Sequence, residues 1–202
     1  MKSIELTQSQ IKAKENGATM FIFTLNKNIN ILNIKDGIVS FINNWSDYYD
    51  EINIEKFTKR YSPLQIGDKD VFVKEEFIYS SVVNQIAYKA QTIGNLREDL
   101  TQDELDDFNT INWKPASQMT KEQSRYSFKE ILDVEVIRVQ DIGVEDYLSI
   151  FPQDDLYWNA TTFKDKEEDF KDFYNQQMQD LGIDKTYENN NYVFLIEVDR
   201  GK

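Results

Sequence analysis

The segment 113–139, WKPASQMTKEQSRYSFKEILDVEVIRV, constrains the fold more than any other part of the chain, because it joins a rigid turn, a capped helical turn and a strand. Its turn is predicted by Pro115, since proline fixes its own φ and keeps the residue before it extended. Thr120 and Gln123 have the spacing of a capping box, in which each side chain bonds an unpaired backbone amide at a helix start. One or two helical turns are therefore expected to begin at Lys121.

The end of this segment has the alternating pattern of a half-buried antiparallel strand. The apolar face is formed by Leu132, Val134 and Val136, and the charged face by Asp133 and Glu135. Ile137 and Val139 then shift the phase of the alternation, which predicts a β-bulge near Val136.

The composition is that of an ordered globular protein rather than of a disordered chain. Hydrophobic residues make up 40% of the 202 positions, and there are only 7 glycines and 3 prolines. A chain of this length is sufficient for one well-packed domain, and we expect a single domain over residues 1–202. The sequence contains neither cysteine nor histidine, which excludes disulfides, thiolate or imidazole metal sites and cysteine nucleophiles. We therefore expect no metal and no cofactor.

The charge balance disfavours a basic surface for nucleic acid. The formal net charge is −13, which repels a polyanion unless the lysines and arginines are gathered in one place. They are gathered only weakly, in one group formed by Lys56, Lys59 and Arg60 and another formed by Arg125, Lys129 and Arg138. No apolar run approaches the roughly 20 residues that a membrane helix needs, and the N-terminus has no apolar signal core. The sequence therefore predicts a cytoplasmic protein that does not enter a membrane.

Turn and capping signals divide the remaining chain into strands and helices, which indicates an α+β fold. Thr7 and Gln10 form another capping box, and Gly17 stands where a residue with positive φ ends the following helix. A later helix, ended by Gly182, carries the apolar stripe Phe163, Phe170, Phe173, Tyr174, Met178 and Leu181. We expect one curved sheet to contain the strands at Met20, Val71, Leu132 and Tyr192, with the last strand turning inward Tyr192, Phe194, Ile196 and Val198.

Residues 26–59 are predicted to form an insertion packed on the main domain. Ile38, Phe41, Ile42 and Trp45 recur at helical spacing, so a helix is expected within the insertion. Trp45 is expected in the core, because large aromatic side chains are mostly buried.

Four blocks in this order resemble the ASCH domain of the PUA-like superfamily, in particular the long ASCH-like proteins common in bacteriophages and prophages. They are an opening strand and helix ending ENGAT, the block IGDKDVFVKEEF, the block WKPASQM with SRYSFKEILDVEVIRVQDI, and the closing YVFLIEVDR. The second and third are similar to the family patterns GD-x-(hydrophobic)-W-V-R-E-T-W and W-(K/R)-P-S-x-x-M-P-x-x-x-S-R. The resemblance implies a small curved β-barrel flanked by helices, with a central cleft, and an association with RNA, nucleotides or modified bases.

The same resemblance implies a set of cleft residues. They are Lys74 and Glu75 at the Arg-Glu position, Trp113, Pro115, Ser117 and Met119 in the Trp-Pro segment, and Ser124 with Arg125 at the Ser-Arg position. Arg125 and Glu75 can form a structural ion pair, or Arg125 can offer its guanidinium to a phosphate or base edge. Trp113 can be either a core ring or a platform on which a base stacks.

The segment NGATMFIF departs from the family where some small ASCH relatives carry the Lys and Thr that hydrolyse acetylated cytidine. Ala18 stands in place of the Lys and Phe21 in place of the second Thr of the pattern G-R-K-T-x-T-x-R, and Ile22 and Phe23 replace its basic pair. Thr19 remains, but a hydroxyl nucleophile needs an activating base, and this segment supplies none. Amidohydrolase activity is therefore not expected.

Three functions remain open from the sequence. The first is a non-catalytic module that binds a nucleotide, a modified base or a single-stranded RNA end through Glu75, Trp113 and Arg125. The second is a phage accessory or virion-associated protein with a vestigial cleft, whose acidic surface meets a phage or host protein. The third is a residual hydrolase with Glu75 as general base and Lys74 or Lys89 nearby.

Overall fold

The structure is a computed structural model and describes residues 2–46, 48–80, 85–90, 111–152 and 162–200. The strands in these ranges are β1 Ser3–Glu5, β2 Met20–Thr24, β3 Ile29–Lys35, β4 Ile38–Asn43, β5 Tyr48–Asn53, β6 Lys69–Lys74, β7 Phe77–Ser80, β8 Gln85–Tyr88, β9 Ser127–Arg138 and β10 Tyr192–Arg200. The α-helices are α1 Gln8–Glu15, α2 Ile54–Tyr61, α3 Tyr147–Ile150 and α4 Phe163–Asp180. None of these helices combines the length and apolar composition needed to cross a membrane.

The predicted α+β class and the predicted common sheet are confirmed. Five strands form one sheet in the order β1-β6-β9-β10-β2, which contains all four strands expected to share a sheet. β1 and β6 are parallel, and the other neighbours are antiparallel. β3, β4 and β5 form a separate meander, and β7 and β8 form a hairpin. Across the described residues, none of the three sheets closes on itself.

The last strand, β10, is buried on both faces. Phe194, Ile196 and Val198 enter a core shared with α1, α2 and the meander, as predicted, and Tyr192, the fourth residue expected to face inward, is half-buried and packs against the same core. Val193 and Leu195 are also buried, because α4 covers the opposite face of the sheet. Each apolar side chain buried in this way stabilises the fold by roughly 1.5–3 kcal/mol.

Helix α4 supplies that second layer. Phe170, Tyr174 and Met178 from the predicted stripe are buried, and the Phe170 ring stacks on Tyr147 of α3 with 4.2 Å between ring centroids. Phe163 and Leu181, at the two ends of the helix, are exposed instead. The packing face is therefore shorter than the apolar pattern indicates.

The expected bulge near Val136 is wrong in position. In the pairing of β9 with β10 the register shifts between Glu197, opposite Asp133, and Val198, opposite Ile131. Leu132 is the extra residue and is 46% exposed. Ile131 and Leu132 are both apolar, so alternation of apolar residues does not indicate which one faces the core.

Residues 26–59, predicted to form an insertion, include most of helix α2, which ends at Tyr61, but the helix expected over residues 38–45 is wrong. That stretch is strand β4 followed by a turn, and Trp45 is 79% exposed rather than in the core. The hairpin from β3 to β4 turns at Asp36 and Gly37, both with positive φ, as a two-residue type I′ turn requires. This Asp-Gly signal, with alternating Val39 and Phe41 buried beside it, outweighs the helical spacing.

The local capping predictions are confirmed. Thr7 with Gln10 and Thr120 with Gln123 form capping boxes, the second at the start of a single 3₁₀ turn. Gly17 takes a φ of 103° after α1.

Candidate functional site

A cleft of about 460 Å³, here called the Glu75 cleft, opens where β1 and β6 end side by side. Because these two strands are parallel, the segments that follow them leave the sheet at the same edge. β1 leads through Thr7 into α1, and β6 leads into Glu75 and Glu76. Pro115 and Ala116 contribute a further wall, and the end of α4 contributes Asp180 and Leu181.

Glu75 is held by Arg125, which follows the capped turn at Thr120. Nε and Nη2 of Arg125 donate to the two carboxylate oxygens of Glu75, each at 2.8 Å. The Glu75 side chain is only 3% exposed and that of Arg125 17%. Burial alone lowers the pKa of Arg125, but the hydrogen bonds and charge of Glu75 more than offset it, so this pKa is raised. Arg125 therefore keeps its positive charge at neutral pH.

A second carboxylate, that of Glu15 at the end of α1, takes the remaining nitrogen of Arg125. Nη1 of Arg125 lies 2.8 Å from Glu15 Oε1, and the Tyr126 hydroxyl donates to the same oxygen at 2.9 Å. The Arg125 guanidinium lies over the rings of Tyr88 and Tyr126, 4.7 and 4.6 Å from their centroids. Burial and the hydrogen bond to Glu15 raise the pKa of Tyr126 to about 12. All three nitrogens of Arg125 are thus engaged by carboxylates.

The structure brings the other predicted residues around this pair, but in structural contacts. Lys74 Nζ donates to the carbonyl oxygen of Ser117 at 3.3 Å. The Ser124 hydroxyl lies 2.6 Å from the Val73 carbonyl oxygen and 2.7 Å from that of Tyr126, so it ties the end of β6 to the start of β9.

The Trp-Pro segment is fixed beside β7. The backbone of Lys114 exchanges hydrogen bonds with Phe77, at 2.8 and 3.2 Å, and Met119 is buried. Trp113 is half-buried. The residues of this segment that line the cleft are Pro115 and Ala116.

The charge on the cleft wall is mostly negative. Its lining includes Glu5, Glu75, Glu76 and Asp180, against a single lysine, Lys89, which is paired with Glu76 at 2.7 Å. Asp180 also occupies the start of α1, where an anion would otherwise be favoured, by accepting from the Ser9 amide at 3.0 Å and hydroxyl at 2.8 Å. A phosphate group would therefore be repelled here.

The segment in which the ASCH resemblance would place hydrolytic groups lies in the protein core. Ala18 and Phe21, at the expected Lys and Thr positions, are each at most 2% exposed, and so is Ile22, at one of the expected basic positions. Glu75 is committed to Arg125, and Lys89 to Glu76. Within the part of the chain that the structure describes, no three carboxylates are grouped closely enough to hold a metal ion.

Two contributors were missed by the sequence analysis, Glu15 and Tyr88. Tyr88 ends strand β8, and Glu15 ends helix α1. Neither position carries a local signal for contact with Arg125, because the contacts arise only when α1 and the β7–β8 hairpin pack beside β9.

The chain was compared with protein-family models, curated proteins and solved structures, and none of them matches it.

Proposed function

We propose that the protein is a non-catalytic, PUA-like binding module whose Glu75 cleft holds a nucleobase, modified base or single-stranded RNA end by the N–H groups of the base. The observation that carries this proposal is the carboxylate wall fixed by Arg125: Glu75 is held at two oxygens and is 2% exposed. Glu75 and Arg125 hold this wall rigid, and the exposed carboxylates beside them, Glu5 and Glu76, are the acceptors that a planar ligand can reach.

The chemistry of the wall selects the base rather than its phosphate. An ionised carboxylate only accepts hydrogen bonds, and the amino and ring N–H groups of guanine, cytosine and adenine supply donors. Four carboxylates face one lysine, so a phosphate in the same place would be opposed by their charge. A splayed base at an RNA end, with its phosphate outside the cleft, satisfies both conditions.

The cleft size and the family resemblance support the same function. A volume of about 460 Å³ falls in the range of small-molecule sites. The Trp-Pro and Ser-Arg blocks, through which the sequence resembles ASCH domains, both meet beside Glu75.

The test is a titration with the four ribonucleosides and their 5′-monophosphates. Binding is monitored by the nuclear magnetic resonance chemical shifts of the backbone amides of Glu76 and Lys89. We expect at least one nucleoside to bind at these amides more tightly than its monophosphate. Glu76→Gln should weaken binding of that nucleoside about tenfold, since it removes a charged acceptor. It should also reduce the ratio of the affinity for the nucleoside to the affinity for its monophosphate. Glu76 is suited to this test because its side chain is 41% exposed.

Glu168→Gln is the matched control, because Glu168 is exposed on α4 and the charge change is identical. It should leave nucleoside binding unchanged. If no nucleoside shifts the two amides, or if every monophosphate binds there more tightly than its nucleoside, the proposed function is wrong.

A further inference from the structure

A second pocket, here called the Arg138 pocket, lies at the opposite end of β9 from the Glu75 cleft. Its volume is about 200 Å³, and it is formed where β9 ends, β10 begins and β3 passes beside them. Arg138 and Lys185 supply its positive charge. Two basic residues therefore line one small pocket in a chain whose net charge is −13.

Arg138 is held in a fixed orientation. Its guanidinium lies over the Tyr192 ring, 4.3 Å from the centroid, and Nη1 donates to the Asn190 carbonyl oxygen at 2.9 Å. Asn190 adopts a left-handed conformation with φ 47°, and its side-chain oxygen accepts from the Gln140 amide at 3.1 Å. A planar guanidinium that is stacked and anchored at one edge loses little freedom when its other N–H groups bind a ligand.

Within the described ranges, no carboxylate neutralises this guanidinium. Among the described residues, neither Arg138 nor Lys185 has a carboxylate oxygen within the 4.0 Å of an ion pair. Glu188, on the neighbouring 3₁₀ turn, is engaged by Lys171 at 2.6 Å. The hydrogen bond to Lys171, with further hydrogen bonds to the Glu188 backbone and the Thr186 side chain, lowers the pKa of Glu188 to about 2, and this carboxylate pairs with Lys171 rather than with Arg138.

The remaining walls add neutral donors and an apolar side. Asn30 and Asn189 line the pocket, and the Asn189 side-chain oxygen is occupied by the Thr186 backbone amide at 2.7 Å. The side-chain nitrogen of Asn189 remains as its donor. Leu25 and Ile29 form an apolar side next to these donors.

We propose that the Arg138 pocket binds the phosphate group of a small phosphate monoester. Arginine N–H groups match two oxygens of a phosphate at once, and a lysine and an amide beside them add further donors. The volume is several times the roughly 30 Å³ of one water, which gives room for the phosphate and the first atoms of its ester. The pocket shares no lining residue with the Glu75 cleft. The phosphate site can therefore be tested independently of the proposed function.

The test is calorimetric titration of the full chain with inorganic phosphate, phenyl phosphate and acetate at low ionic strength. Phosphate should bind, phenyl phosphate more tightly because of the apolar side, and acetate more weakly than both. Arg138→Gln should weaken phosphate binding about tenfold or more, as expected for loss of charge-assisted hydrogen bonds. Lys185→Gln should weaken it less, and Arg138→Lys should rescue only part of the loss, since a lysine keeps the charge without the planar group.

Arg60→Gln is the matched control. Arg60 is an exposed arginine that also lies over a tyrosine ring, 5.2 Å from the centroid of Tyr61, but at a site without this pocket. It should leave phosphate binding unchanged. If Arg60→Gln and Arg138→Gln weaken phosphate binding equally, phosphate is attracted by the overall charge of the protein, and the proposed site is wrong. The proposed site is also wrong if neither phosphate nor phenyl phosphate binds. If Arg138→Gln shows an altered circular dichroism spectrum, Lys185→Gln replaces it in the comparison. Lys185→Gln should then weaken phosphate binding more than Arg60→Gln does, and equal weakening would contradict the site.

Discussion

Arg125 lies two residues before strand β9 and Arg138 is its last residue, and the fold uses these two arginines in opposite ways. Both guanidinium groups lie over tyrosine rings. Arg125 is neutralised by Glu75 and Glu15, whereas Arg138 has no carboxylate partner among the described residues. The first therefore acts as a clamp within the protein, and the second remains able to meet an anion.

The difference shows that the partners of an arginine, rather than its exposure or its ring contacts, decide what it can do. Glu75 reaches Arg125 because β6 pairs with β9, and Glu15 reaches it because α1 packs over the same end of the sheet. At the other end of β9, the turn through Asn190 offers a carbonyl oxygen instead of a carboxylate.

The largest expected effect separates the two arginines by stability. Arg125→Ala should lower the free energy of unfolding by about 3–5 kcal/mol, because it leaves the buried Glu75 carboxylate without its partner. Arg138→Ala should lower it by about 1 kcal/mol, for one hydrogen bond and one ring contact. Chemical denaturation of both variants measures the two losses, and similar losses would erase the distinction.

The same pair can be removed as a unit. Replacing Glu75 with leucine and Arg125 with methionine together should restore much of the stability lost in Arg125→Ala, since no buried charge is then left alone. A double variant as unstable as the single one would show that Arg125 stabilises mainly by packing against its tyrosines.

A smaller effect is expected from neutralising Glu75 without changing its shape. Glu75→Gln should cost about 2–3 kcal/mol, as hydrogen bonds between charged groups are replaced by weaker ones. Glu130→Gln is the matched control in β9, because its ion pair with Lys69 is exposed and 3.5 Å long, and it should change stability by less than about 1 kcal/mol. Equal losses in denaturation experiments would contradict the special role of Glu75.

The ring contacts should differ in the same direction. Double-mutant cycles should give a coupling of about 1–2 kcal/mol between Arg125 and Tyr88, and about 0.5–1 kcal/mol between Arg138 and Tyr192, because the first guanidinium is more desolvated. Tyr88→Phe serves as the control for the hydrogen bond that the Tyr88 hydroxyl donates to the Gln123 carbonyl oxygen at 2.6 Å. A larger coupling energy between Arg138 and Tyr192 than between Arg125 and Tyr88 would contradict the stronger desolvation of Arg125.

The smallest effect concerns the pKa of Tyr126, which burial and Glu15 raise to about 12. Because this pKa is raised in the folded state, its stabilising contribution is present below the usual value of 10.0 and is lost as the pH rises through about 12. Glu15→Gln should lower the Tyr126 pKa only in part, since burial is the larger cause. Ultraviolet titration should show this shift, with Tyr126→Phe used to assign the signal. An unchanged Tyr126 pKa in Glu15→Gln would contradict the hydrogen bond between Tyr126 and Glu15.

Sequence reasoning succeeded where the determining contacts are local. The capping boxes at Thr7 and Thr120 and the glycine after α1 involve residues within a few positions of each other, and all are present. The strand at Leu132 was predicted, but its bulge was misplaced, because Ile131 and Leu132 are equally apolar and only the pairing with β10 distinguishes them.

Prediction failed where a short apolar run fits two periods, or where a contact spans the chain. IVSFIN fits helical spacing as well as strand alternation, and the Asp-Gly turn before it was the signal that decides for a strand. Glu75 lies 50 residues from Arg125, and their pairing was raised only through the family resemblance. The Arg138 pocket had no sequence signal beyond one weak basic group, and the fold places Arg125 and Arg138 of that group at opposite ends of β9.

Nuclear magnetic resonance of the arginine Nε–H groups during a titration with inorganic phosphate separates the two arginines directly. We expect the Arg125 Nε–H to exchange slowly with water and not to shift, because it is bound to Glu75. We expect the Arg138 Nε–H to exchange faster without phosphate, and to shift and exchange more slowly as phosphate is added. A phosphate-dependent shift at Arg125, or none at Arg138, would contradict the division between a neutralised clamp and an arginine available to an anion.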